Sequence, residues 1–236
     1  MSEQPVEMPR PKPQVGLAIS WAFDTFRRTP VPFIALAAVV AVIQMVQQVG
    51  TQPINNIVLD CNDAQTAGQQ AACAAALGGA AVVGVAVMFL FLILAFFATI
   101  GVYRAALDTS NGIAPDFKVI FKTENLGRYV VFSLAYAGLV IAGLVLCILP
   151  GIAVAFLLQL GPFYILDRGY RPVEAIKASY AAITKNFGPA VVMVLFSLVV
   201  SALGSALYGI LTLVTLPFAT LFIVHMFRQF NGEPVR

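Results

Sequence analysis

Between Tyr129 and Leu166, and again between Asn186 and Phe227, the chain carries no Asp, Glu, Lys or Arg. Each run is about twice the roughly 20 residues that a helix needs to cross the hydrocarbon of a bilayer. Two further runs are of single length: Val31 to Val49, entered through Pro30 and Pro32, and a stretch within Ala74 to Tyr103 that reads as a span from Ala80 to Tyr103. A water-soluble fold has no place for such runs. Only 11% of the 236 residues are charged and 60% are hydrophobic, whereas a soluble domain carries about 25% charged residues. Each double run must reverse inside itself. Pro150-Gly151 offers a helix stop and a turn in the first, and Gly204-Ser205 with Gly209 offers a weak centre in the second. The expected fold is an all-α membrane protein with six transmembrane helices in three hairpins.

Charge placement supplies an independent reading, because short loops on the cytoplasmic side keep Lys and Arg while exported ones lose them. With six spans, all 14 Lys and Arg residues fall on one side, among them Arg10, Lys12, Arg104, Arg168, Arg228 and Arg236. The opposite side receives only Asp60 and Asp63. Both termini are therefore expected in the cytoplasm. The expected organisation is a polar tail over 1–14, a first module over 15–104 with an exported loop at 50–74, a second over 115–167, a third over 172–228, and a C-terminal tail over 229–236. Met1 to Pro13 has no short apolar region with a small-residue cleavage site after it and does not read as a signal peptide.

Each hairpin is preceded by a cytoplasmic stretch with helical, amphipathic spacing. In Pro172 to Phe187, Val173, Ile176, Tyr180, Ile183 and Phe187 recur at threes and fours, away from Glu174, Lys177 and Lys185. Val15 to Arg28 places Val15, Ile19, Ala22, Phe23 and Phe26 on one face. A shorter middle copy sets Phe117, Ile120 and Phe121 against Lys118 and Lys122. Residues recur as well: Thr123, Asn125 and Gly127 return as Thr184, Asn186 and Gly188. Ser20, Trp21, Ala22, Thr25 and Pro30 return as Ser179, Tyr180, Ala181, Thr184 and Pro189. An internal repeat of three units, each an interfacial helix followed by a transmembrane hairpin, would leave such traces.

The turn Pro150-Gly151, the close of a span in Asp167-Arg168-Gly169, the run Pro172-x-Glu174-Ala175-Ile176-x-x-Ser179, and Thr184-x-Asn186 together resemble the YciC-type bacterial integral membrane family. The same pattern is similar to the membrane domain of some glycerophosphodiester phosphodiesterases. The resemblance extends over about Tyr129 to Arg228 and is topological before that. It implies a multi-pass protein of the bacterial plasma (inner) membrane, from a family mostly without assigned activity. It carries over no catalytic residue, and the soluble catalytic domain of the phosphodiesterases has no counterpart here.

Candidate sites are few. Cys61 and Cys73 both fall in the expected exported loop, where an oxidising exterior favours a disulfide over two free thiols; Cys147 reads as an apolar filler inside the third span. Gln44 and Gln159 are the deepest large polar side chains, with Gln47 and Gln48 nearer the exit; such residues serve hydrogen bonds between helices or contact a substrate. Gly161-Pro162 reads as a kink. Ser197, Ser201 and Ser205 recur every four residues, as a face for close helix packing or as a polar lining. His225 reads as an anchor beside Arg228. Arg27, Arg28, Lys118, Lys122, Arg171, Lys177 and Lys185 form a cationic rim suited to anionic phospholipid headgroups.

No hydrolase triad, metal-binding pair, phosphate-cradling glycine loop or dinucleotide fingerprint appears, so neither an enzymatic activity nor a cofactor is expected. The net charge of +3 gives no footprint for nucleic acid. With no ionisable residue deep in a span, an ion-coupled carrier is disfavoured. The expected role is a non-enzymatic scaffold, accessory subunit or bilayer-organising factor, partnered by lipid, by another membrane complex or by itself. The alternative is a channel or facilitator for a small or amphiphilic solute or lipid.

Overall fold

The computed structural model describes residues 13–62, 66–205 and 211–235, together with most of their side chains. Nine α-helices are present among the described residues: α1 (Val15–Arg28), α2 (Pro30–Asn62), α3 (Ala67–Ser110), α4 (Leu126–Leu146), α5 (Ile148–Leu158), α6 (Gly161–Arg168), α7 (Pro172–Lys185), α8 (Phe187–Ser205) and α9 (Thr212–Asn231). A 3-10 segment, Phe117–Phe121, lies between α3 and α4. Among the described residues, five stretches are long and apolar enough to cross a membrane: Gly84–Ser110, Leu126–Leu146, Ile148–Arg168, Phe187–Gly204 and Thr212–Asn231. A sixth is counted if α1 and the first part of α2, which meet at 96°, form one bent pair.

Prolines decide where several of these helices stop. A proline ring cannot donate to the carbonyl four residues earlier and collides with it, so a helix tends to end there. The rule accounts for four boundaries: Pro150 for the end of α4 at Leu146, Pro162 for α5 at Leu158, Pro172 for α6 at Arg168, and Pro189 for α7 at Lys185. The reversal expected at Pro150-Gly151 accordingly falls earlier. Cys147, with extended backbone (φ −171°, ψ 151°), makes the break, while Pro150 sits in the first turn of α5, where no donor is needed. Cys147 is thus an exposed hairpin tip and not a filler within a span.

The second hairpin closes tightly. A Cβ on Gly143 of α4 would lie 2.7 Å from the Gly151 Cα, so two glycines let the backbones touch beside the turn. Farther down, the ring of Phe132 occupies the space a Cβ on Gly161 would fill. At the base, Arg128 of α4 donates to the Gly169 carbonyl, and Gly169 itself ends α6 in the left-handed region at φ 64°.

The break between α5 and α6 leaves backbone groups without helical partners, and α7 supplies them. Ser179 is fully buried; its Oγ accepts from the Leu160 amide at 3.2 Å and donates to the Leu157 carbonyl at 2.8 Å. Ser179→Ala should therefore cost about 1–3 kcal/mol, since it strips two buried backbone groups of their partner; thermal unfolding in mild detergent checks this.

The first hairpin differs most from expectation. The loop expected at 50–74 is helical over most of its length, because α2 runs to Asn62 and α3 starts at Ala67. A capping box starts α3: Thr66 Oγ1 accepts from the Gln69 amide at 3.3 Å, and Gln69 Oε1 accepts from the Thr66 amide at 3.1 Å. The alanine-rich stretch that follows has the highest helix propensity available. At 33 and 44 residues, α2 and α3 measure about 50 and 66 Å, well beyond the roughly 30 Å of hydrocarbon.

The core sits toward the other end. There α9 packs against α1, α2, α3 and α8. Phe33, Leu36, Ala37 and Val40 of α2 follow a three-four spacing and are buried with Ala98, Ile100 and Val102 of α3. Helix α1 forms over the expected residues and α7 ends at Lys185, two residues before the expected Phe187; on each, a narrow face packs against the bundle. Helix α1 buries Ala18 and Ala22 and leaves Phe23 exposed. Helix α7 buries Ala175, Ser179, Ala182 and Ile183 and leaves Val173 and Tyr180 exposed; Phe187, at the start of α8, is exposed as well. Ala18, Ala22, Ala175, Ser179 and Ala182 are small enough to admit close helix approach, and Ile183 is the one large side chain of α7 buried with them. In the middle copy Val119, not Phe117 or Phe121, is the buried residue.

Candidate functional site at the charged end of the bundle

The ends of α3, α6 and α9 converge on Arg228, which is 5% exposed. Its guanidinium grips Asp167 in a two-pronged pair, Nη1 to Oδ2 and Nη2 to Oδ1, both at 2.7 Å. Nη1 also reaches Glu233 at 2.7 Å, Nη2 reaches the Asn111 side-chain oxygen at 3.0 Å, and Nε reaches Ser110 Oγ at 3.2 Å. Arg168 binds the other oxygen of Glu233 at 2.6 Å and lies over the rings of Tyr164 and Phe227. Glu233 arrives because Gly232, at φ 70°, ends α9 and folds the chain back. Two cations and two carboxylates thus neutralise one another. Such geometry suits joining helix ends, since planar, bidentate arginine pairs are strong and directional.

Arg104, 6% exposed, caps the connection after α3 by donating to the carbonyl oxygens of Lys122 and Glu124. Sequence reasoning placed Arg104 and Arg228 among loop cations; their burial has no signature in a single sequence. Asp167 and Arg168 belong to the motif noted above, and Glu233 to the C-terminal tail.

Beside this cluster, α1 is tied to α9. Gln229 Oε1 accepts from the Gln14 amide at 2.6 Å, and Gln229 Nε2 lies 2.8 Å from His225 Nδ1. His225 is buried with its ring 5.2 Å from that of Trp21, an anchor through packing. Between α1, the end of α3 and the C-terminal tail opens a cavity of about 490 Å³. Trp21, Ile113, Ala114, Pro115 and Val235 form its apolar wall. Asp24, Arg28 and the threonines 25, 29 and 109 form its polar one.

The expected rim cations have different fates. Lys122 pairs with Asp108 at 3.0 Å, and Arg27 lies over the ring of Phe23. The amide of Arg171 donates to Glu174 Oε2 at 2.9 Å, closing the start of α7. Lys118, Lys177 and Lys185 are exposed, and Arg28 faces the cavity.

The expected intramembrane polar residues do not form one set. Gln44 is exposed on α2, which packs on α3 and α9; Gln159 is half-buried at the α5–α6 break, next to α4 and α7, and its Nε2 has no protein partner. Ser197 donates to the Met193 carbonyl within its own helix, and Ser201 is exposed. Close approach in this hairpin occurs at Gly204, where Thr212 Oγ1 donates to the Gly204 carbonyl at 3.2 Å. The side chains of Gln47, Gln48, Cys61 and Ser205, and residues Arg10, Lys12 and Arg236, lie outside the described residues. Cys147 is a free thiol and Cys73 is not free. Among the described residues no three His, Cys, Asp or Glu side chains come together to hold a metal ion.

Over 135 residues the chain is 29% identical to an uncharacterised protein of Mycobacterium bovis, covering 57% of this chain and 42% of that protein. Two Mycobacterium tuberculosis strains hold uncharacterised proteins with the same coverage, at 29% and 28% identity. The chain therefore spans under half the length of the curated relatives it matches. No family model and no solved structure matches.

Proposed function

We propose that this protein is a non-enzymatic, multi-pass component of a bacterial plasma membrane, acting as a scaffold or accessory subunit that organises neighbouring protein and lipid. The observation that carries this reading is where the polar groups are. They gather at the charged end of the bundle and are spent on joining helices, as in the Arg228–Asp167–Glu233 cluster. Gln44 and Gln159, which a channel would need on one path, sit on elements with different neighbours. Broad apolar faces on α3, α4 and α8 remain for lipid or a partner, with Leu134, Val145 and Leu146 at 70%, 81% and 82% exposure.

In this proposal the charged end faces the cytoplasm, as the distribution of Lys and Arg favours. Helices α1 and α7 lie at the interface, with Val173, Tyr180 and Phe187 in the headgroup boundary and the rim cations on anionic lipid. The distal part of the α2–α3 hairpin projects outside, and Cys61 pairs with Cys73 there. The likeness to the YciC-type family fits this picture and remains a proposal.

Gentle extraction of the full chain from native membranes, followed by mass spectrometry, tests the role. A stoichiometric membrane partner is the expected result. Solute flux through liposomes holding the pure protein, abolished by Gln159→Leu, would replace the scaffold with a channel.

A further inference from the structure

The cavity beside α1 has an arrangement that the helix-joining cluster does not explain. Asp24 and Arg28 stand one helical turn apart on α1, the spacing at which opposite charges ordinarily meet. Both line the cavity, and among the described residues neither makes an ion pair. Thr29, just past the end of α1, and Thr109 of α3 each spend their hydroxyl hydrogen on the carbonyl four residues earlier, Thr25 and Ala105 respectively, so they offer the cavity lone pairs. The remaining wall is the indole of Trp21 with Ile113, Pro115 and Val235. The site thus offers two opposite charges, neutral acceptors and one aromatic face in about 490 Å³, next to apolar surface.

We propose that this cavity binds the phosphoethanolamine headgroup of a zwitterionic phospholipid. Arg28 meets the phosphate, and Asp24, the threonine oxygens and the Trp21 face take the ammonium. A purely anionic headgroup would leave Asp24 repelled. A choline headgroup has no N–H donors and is recognised by cages of several aromatic rings; here the ring is single and the other partners are acceptors. The assignment rests on the membrane reading above, because a headgroup reaches this end of the bundle only if the spans cross a bilayer. It does not depend on whether a protein partner exists.

Trp21 is the only tryptophan in the chain, so its emission reports this cavity alone. The pure full-length protein in neutral detergent is titrated with short-chain phosphatidylethanolamine, with phosphatidylcholine and phosphatidylglycerol of equal chain length, and with inorganic phosphate and free phosphoethanolamine. Phosphatidylethanolamine should give a saturable change at least tenfold tighter than the other two lipids. Free phosphoethanolamine should compete with it, and inorganic phosphate should not saturate. Asp24→Asn should erase the preference over phosphatidylglycerol, and Arg28→Gln should weaken phosphatidylethanolamine at least tenfold. Both side chains are exposed and unpaired, so both variants should melt with the parent. Equal responses to the three lipids, saturation by inorganic phosphate, or no response from Trp21 would each overturn the assignment. A loss of partner in the extraction experiment with headgroup binding intact would remove the accessory role alone.

Discussion

Asp167→Asn and Arg228→Gln should each destabilise the protein by about 3–5 kcal/mol, measured by unfolding in mild detergent. Removing one member of this buried four-charge cluster leaves one unbalanced charge, which Glu233 or Arg168 meets only in part, and that penalty exceeds what the pair itself contributes. Arg228 and Asp167 side chains are 6% and 10% exposed, so water cannot readily replace the lost partner. The Asp167→Asn/Arg228→Gln double variant should lose less than the sum of the single ones, because it strands less uncompensated charge. A loss below about 1 kcal/mol would place the cluster in the class of solvated surface pairs.

Gly143→Val is expected to be the next most damaging substitution. Its Cβ would sit 2.7 Å from the Gly151 Cα and 2.8 Å from the Gly151 amide nitrogen, both backbone atoms that no rotamer change can move. The α4–α5 hairpin would have to open near its tip, at a cost of about 1–3 kcal/mol or more. Gly138 on the same helix is the control, since nothing lies within 4 Å of a Cβ built there. Gly138→Val should leave the unfolding transition in place. Equal effects at the two positions would mean that helix propensity, not backbone contact, governs the outcome.

The pattern of charges and prolines made most of the helical order legible. Pro162, Pro172 and Pro189 stand four residues after helix ends, and α1 and α7 occupy the segments whose apolar spacing announced them. Pro150 is not the turn itself and acts one helical turn upstream. The extension of α2 and α3 past the apolar stretch has no signal in hydropathy, because polar residues there suit a loop as well as a helix; the Thr66–Gln69 capping box is its one local mark. Val173 and Tyr180, on the apolar face expected at the headgroup boundary, are exposed, while contact with the bundle runs through Ala175, Ser179, Ala182 and Ile183. Hydrophobic spacing identifies an apolar face without saying whether lipid or protein covers it.

The motif residues acquire structural work. Ser179 repairs the α5–α6 break, Glu174 closes the start of α7, and Asn186 donates to the Ala182 carbonyl at 2.9 Å at its end. Asp167 and Arg168 enter the ion cluster, and Gly169 adopts the left-handed turn that ends α6. Asp167, Arg168, Gly169, Glu174, Ser179 and Asn186 thus help to join the second and third hairpins. The candidate site was less legible, because the pairing of Arg228 with a carboxylate on another helix is a property of the packed bundle.

The most direct test of the account concerns its central claim, that the charged end lies in the cytoplasm and the α2–α3 tip outside. Spheroplasts expressing the full chain are treated with a membrane-impermeant thiol reagent, with and without an impermeant reductant, and the labelled cysteines are mapped by mass spectrometry. The account predicts labelling of Cys61 and Cys73 only after reduction, with no label on a cysteine introduced at position 12. Labelling at position 12 in intact spheroplasts, or of Cys61 and Cys73 without reductant, would contradict the orientation or the disulfide respectively.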